Sequence, residues 1–273
     1  MQEAFCKRLA LFQETPGVVN WHEHVWFDES GKLDEARLDQ MMEHSAMLGV
    51  DSLVISLPVI WGEAVPALVT KCNDAVSQAV KKYPGRLYGM CFVNPGYAAF
   101  SMREIERCIE ELGFVGIKLY NQYFISDPVL RGVLEKSIAY DIPVLEHACK
   151  LNMFADSQPF ASNGVHFAKA AEEYPEARMI LAHIGGGGDW NWQVKAIEPY
   201  PNVAVDMSGS IHDKGMIEYA AAHLGSERIL FGSDGSLGSS VGKITDADLS
   251  LEDKRTILTG RAFARYLSKR RGA

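Results

Sequence analysis

The sequence predicts an α/β fold, a (β/α)8 TIM barrel, from three observations: eight short apolar segments, a helix-patterned segment after each, and chain breakers ahead of several of the strands. The first unit pairs 17–26 with a helix over 34–49, where apolar positions recur at helical spacing and Gly49 supplies a C-terminal stop. The second and third pair 52–60 with 67–83, and 86–94 with 99–112, closed by Tyr83-Pro84-Gly85 and Leu112-Gly113. The fourth and fifth pair 114–120 with 127–140, and 143–148 with 161–174, the latter ending at Tyr174-Pro175. The last three pair 178–185 with 189–198, 202–209 with 215–224 up to Leu224-Gly225, and 228–235 with 251–269. Strand and helix in alternation imply parallel pairing with helical crossovers, and eight units close a barrel. No GxGxxG follows the first strand, which argues against an open doubly wound sheet. One domain over 1–273 is expected.

The composition is that of a soluble globular chain, 47% hydrophobic and 23% charged, with no disordered tract. A net charge of -8 and a pI near 5.5 oppose a nucleic-acid partner, whose phosphates need a basic patch. Lys269, Arg270 and Arg271 form the basic cluster, placed where cations suit the dipole of a closing helix. The first 17 residues carry charges among their apolar ones, unlike a signal peptide, and no apolar run reaches membrane-spanning length. A cytoplasmic protein acting on a small-molecule substrate, without nucleic acid or membrane, is expected; pairing into a homo-oligomer stays open. Cys6, Cys72, Cys91, Cys108 and Cys149 contain no CxxC pair and read as reduced, mostly buried thiols, Cys149 sharing a strand face with His147.

Five side chains suited to metal or proton chemistry stand at strand ends: His22 and His24, His147, His183 and Asp234. Residues two apart on a strand share a face, so His22 and His24 are expected inside the barrel, with Trp21, Glu23 and Val25 facing outward. Ligand types delivered by separate strands to the C-terminal end of a barrel indicate a metal enzyme. In GIKLY, Gly116, Lys118 and Tyr120 are expected to point inward. A buried Lys118 has three uses: holding a substrate carboxylate or phosphate, pairing with Asp206 on strand seven, or bridging two metals as a carbamate. Tyr120, Trp26 on the face of HxH, and His212 with Asp213 after strand seven are candidate substrate contacts. Gly185–Gly188 and the GSDGSLGSS run could present backbone amides to an anion, or serve only as turns.

HxH on strand one, PVLEHA, LAHIGG and LFGSD in that order resemble the amidohydrolase superfamily, and most of all its amidohydrolase-related branch of metal-dependent hydrolases and nonoxidative decarboxylases such as aminocarboxymuconate semialdehyde decarboxylase. GFVGIKLY, PNVAVDMSG and ILTGRAFARYL look like further stretches of that branch, so the likeness runs from about Val18 to the closing helix. The resemblance implies that His22, His24, His147 and Asp234 bind one divalent metal, most often zinc, and that His183 and Asp234 are catalytic through proton transfer. Two positions depart from the family pattern: Asn20 and Trp21 precede HxH where Asp is usual, and Arg261 replaces a common Asn. The expected activity is a metal-dependent hydrolase, metal-activated water cleaving an amide, ester or lactone of a small molecule. Nonoxidative decarboxylation of a small aromatic or dienoic acid is the second reading, and a catalytically silent binding protein the third.

Overall fold

The computed structural model describes residues 9–149 and 158–268. Cys6 and the Lys269, Arg270 and Arg271 cluster lie outside the described residues. Eight strands, β1 (Val19–His24), β2 (Ser52–Ser56), β3 (Leu87–Phe92), β4 (Gly116–Leu119), β5 (Val144–Glu146), β6 (Met179–Leu181), β7 (Val203–Asp206) and β8 (Ile229–Leu230), form one parallel sheet in sequence order. The ring is closed by backbone bonds across β8 and β1: Trp21 N–H donates to Phe231 O at 2.8 Å and Asp234 N–H to His22 O at 2.8 Å. The predicted (β/α)8 barrel is therefore present. Helices α1 (Glu35–Leu48), α2 (Pro66–Lys82), α3 (Ala98–Glu106), α4 (Arg131–Tyr140), α5 (Gly164–Glu173), α6 (Trp190–Ile197) and α7 (Met216–Leu224) connect the strands. Gly49, with φ 83°, ends α1 as expected.

Three stretches differ from the sequence reading. The GSDGSLGSS run is not all loop, since α8 (Leu237–Asp246) begins inside it. The closing helix is split at Gly260 (φ 54°) into α9 (Leu251–Thr259) and α10 (Ala264–Ser268), because a left-handed residue cannot continue a right-handed helix. The segment after α3 widens into a π-helical turn over Arg107–Glu111.

The main correction concerns β1. Asn20 pairs with Leu53 and Glu23 with Ile55, so β1 carries one residue more than β2 between these points. This bulge breaks the strict alternation expected for the strand. Trp21, read as facing outward, instead packs with Val54, Met90, Leu145, Ile180, Ala204 and Leu230, the lower interior of the barrel. Phe263 and Tyr266 next to and on α10 close that apolar floor, Phe263 meeting the Trp21 ring edge-on at 5.7 Å. A sealed floor leaves polar side chains a place above it, toward the C-terminal ends of the strands. Among the described residues no helix is long and apolar enough to cross a membrane, and the four described cysteines are free and buried.

Candidate metal and proton-transfer site

Above the apolar floor the strands deliver a buried polar ring. His22, Lys118, His183, Asp206 and Ser208 are all buried. Asp234 Oδ1 lies 3.0 Å from His24 Nε2 and 3.7 Å from His22 Nε2, and Asp234 Oδ2 lies 3.8 Å from His183 Nε2. Two groups of possible ligands result among the described residues, with donor atoms within 4.8 Å of one another: His22, His24 and Asp234, and His22, His183 and Asp206.

The backbone is bent to achieve this. His183 (φ 63°) and Asp234 (φ 48°) both adopt the left-handed conformation that non-glycine residues avoid, as does Ile184 at 48°. Such residues persist only where surrounding contacts over-determine them. Around Asp234 those contacts are supplied by β1. Glu23 accepts from Gly235 N–H at 2.9 Å and from the Ser233 hydroxyl, and Asn20 accepts from Ser233 N–H at 3.1 Å while donating to Ser233 Oγ at 2.5 Å. Glu23 thus grips the turn that carries Asp234, and Asn20, lower on β1, does the same through Ser233. Gly232 is closely packed: a Cβ there would sit 3.1 Å from His22 Cβ and 3.2 Å from Asp206 Oδ1, so both would have to yield by a few tenths of an ångström.

Charge is tightly arranged. The His22 pKa is lowered to about 4 by burial first and by the Lys118 ammonium second, against Asp206 and Asp234, so its imidazole is neutral near pH 7. Burial lowers His147 and His183 as well. Burial would raise Asp234 and Asp206, yet the facing imidazoles, His22 first, hold both carboxyls well below the usual range. Asp206 Oδ2 lies 2.9 Å from His22 Nδ1, which as donor to an ionised carboxylate leaves Nε2 as the lone-pair atom turned to Asp234. Lys118, lowered to about 8 by burial, donates to that same Nε2 at 2.9 Å. The ion pair of Lys118 with Asp206 considered from strand alternation is replaced by contact with His22, which stands between them.

The sequence-derived residues therefore divide. His22, His24, Asp234 and His183 converge, with Lys118 beneath. His147 stands one ring away: its Nδ1 is 3.1 Å from His183 Nε2, its Nε2 is 3.2 Å from Gln158 Oε1 and 3.4 Å from Cys149 Sγ, and neither nitrogen joins the His22–His24–Asp234 group. Tyr120 stacks on His147 at 4.4 Å. Trp26 lies under the Arg37 guanidinium, 3.4 Å from the ring centroid, and lines a cleft with Glu23, Met41, His44 and Leu237. His212 contacts Ser239 and lines, with Asp213, a separate cavity of about 390 Å³ between the loop after β7 and α8. Ser208 was missed by sequence reasoning and Asp206 was named only as a partner for Lys118. A signal was available: Asp206 ends β7 and Ser208 follows it by two residues, so an extended chain continuing past the strand puts both on the interior face.

The sequence model of the amidohydrolase family matches residues 13–260. Gamma-resorcylate decarboxylase of Polaromonas sp. is 23% identical over 254 residues, covering 74% of this chain and 76% of that protein. A 2-keto-4-carboxy-3-hexenedioate hydratase of Sphingobium sp. is 26% identical over 157 residues, covering 50% of this chain and 44% of the hydratase, so the match spans less than half of that relative. The crystal structure of a dihydroxybenzoic acid decarboxylase from Polaromonas sp. JS666, with bound manganese and the inhibitor 2-nitroresorcinol, superposes with a TM-score of 0.71 at 19% identity over 94% of this chain and 98% of that one. These relatives correct the expected activity. They are decarboxylases and a hydratase, and amide, ester or lactone hydrolysis is not among their named reactions.

Proposed function

We propose that this chain, which belongs to the amidohydrolase family, is a metal-dependent nonoxidative decarboxylase of a small aromatic or dienoic carboxylic acid. The observation that carries the reading is the matching of decarboxylases across about three quarters of the chain, joined to the buried His183 and the partly exposed Asp234, set 3.8 Å apart beside the ligand group. His22, His24 and Asp234 would hold the ion, with His147 the adjoining imidazole. Their two nitrogens and one oxygen suit zinc or manganese alike, and the Asp206 bond to His22 Nδ1 prepares the ligand nitrogen. A divalent ion held there would supply positive charge to draw in and polarise an anionic substrate.

The chain's own groups manage the proton. Decarboxylation leaves the C–C electron pair on carbon, which must gain one proton as carbon dioxide departs. His183 Nε2 accepts a proton arriving from solvent or a substrate hydroxyl and shares it with Asp234 Oδ2, and from this pair it passes to carbon. Lys118 adds a positive charge below the site and so favours an anionic substrate. His22, Lys118, His183 and Asp206 are buried, so the base of the site is shielded from bulk water.

The test is a panel of hydroxybenzoates and dienoic acids, incubated with protein loaded separately with Zn²⁺ and Mn²⁺. Carbon dioxide and the decarboxylated product in equal amounts are expected, lost in His183→Asn. Water addition to a double bond without carbon dioxide, or no turnover of any carboxylic acid by metal-replete protein, overturns the reading. Metal content of the purified chain decides between zinc and manganese.

A further inference from the structure

We propose that Ser208, backed by Asp206, is a positioning residue that keeps the His183 proton on Nδ1 and so turns Nε2 to the site as a lone pair. The inference rests on the reading of His183 as the proton-transfer group. Ser208 Oγ is 2.8 Å from His183 Nδ1 and also bonds Asp206 Oδ1. An ionised carboxylate only accepts, and Ser208 has a single hydroxyl proton. That proton must lie toward Asp206. The Ser208 oxygen then faces His183 with lone pairs, and the bond between them requires His183 Nδ1–H. With the opposite tautomer, the serine would either turn its proton to His183 and set its lone pairs against the carboxylate, or leave His183 Nδ1 facing a lone pair. In a buried cluster neither arrangement is tolerated at small cost.

The same carboxylate also fixes His22. Asp206 Oδ2 accepts from His22 Nδ1 at 2.9 Å while Oδ1 takes the Ser208 hydroxyl, the Ser208 N–H at 2.9 Å and the His183 N–H at 3.3 Å. One acid thereby sets two imidazoles for different tasks: the Nε2 of His22 for a metal, and the Nε2 of His183 for a proton. His147 Nδ1 faces His183 Nε2 at 3.1 Å, on the side away from Ser208. The serine is held from behind as well. Lys243 of α8 donates to the carbonyls of Met207, Ser208 and Gly209 at 3.1, 3.2 and 2.7 Å, so the segment that carries Ser208 is pinned to a helix outside the barrel.

The test is long-range proton–nitrogen NMR on the full chain, ¹⁵N-labelled at histidine and loaded with diamagnetic Zn²⁺, with His183 assigned by its loss in His183→Gln. Wild type and Ser208→Thr, which retains the hydroxyl, are expected to show His183 with a protonated Nδ1 and a bare Nε2. Ser208→Ala is expected to move His183 partly or wholly to the other tautomer. On a substrate found by the panel, Ser208→Ala is expected to lose about 10- to 100-fold in kcat with KM held within about twofold, and Ser208→Thr to recover most of the loss. Wild-type His183 carrying its proton on Nε2, or a tautomer unmoved by Ser208→Ala, overturns the proposal. Because the tautomer is read without substrate, failure of the decarboxylase reading and failure of this one are separate results.

Discussion

Replacing His22 with Gln removes a base whose protonation the fold resists, and the size of that resistance follows from its surroundings. The folded pKa is lowered from 6.5 to about 4, by burial and then by Lys118. The unfolded chain takes up this proton near 6.5 and the folded chain only near 4, so stability falls as pH drops through that interval, and the loss is complete below the folded value. A shift of that size corresponds to about 3 kcal/mol in full, and to about 2 kcal/mol by pH 5. Other groups act in the same window. Burial lowers His147 and His183, which steepens the loss, whereas it raises Glu23 and Glu146, which gain stability toward acid and oppose it. Subtracting the variant cancels these shared contributions. Urea unfolding of metal-free wild type and His22→Gln at pH 7.5 and pH 5 measures the difference, and metal must be absent because a bound ion adds its own pH dependence. Wild type is expected to lose about 2 kcal/mol more than the variant between the two conditions. Parallel losses would refute the argument that the fold holds His22 neutral and ready as a ligand.

Lys118→Met frees the Nε2 of His22 from a donor 2.9 Å away and removes a like charge from the ion's neighbourhood; metal affinity in competition with a chelator should rise at least about tenfold, and weaker binding would show that Lys118 assists the metal instead. Gly260→Ala puts a Cβ 2.1 Å from Trp21 Nε1 at a residue with φ 54°, so about 2–4 kcal/mol of stability and roughly 5–10 °C in Tm should be lost, and an unchanged melting curve would mean that the barrel floor is not packed as described.

Sequence periodicity alone determined the eight strand–helix units and the ends at which His22, His24, His147, His183 and Asp234 stand, because both signals are local. Face assignment held wherever a strand stayed regular: Lys118 and Asp206 point inward as two-residue alternation requires. It failed at β1, since a bulge is decided by the register with β2, and no pattern within VVNWHEHVW announces that Trp21 will drop into the floor beneath His22. Partner choice was likewise out of reach. Whether Lys118 meets Asp206 or His22, whether His147 joins the ligand group or stops at His183, and whether Ser208 touches an imidazole depend on distances of an ångström across the barrel, between residues up to 186 positions apart in the chain. Composition and spacing identify which groups a barrel can offer its mouth; only closure of the sheet, with the backbone bent at His183 and Asp234, decides which of them touch.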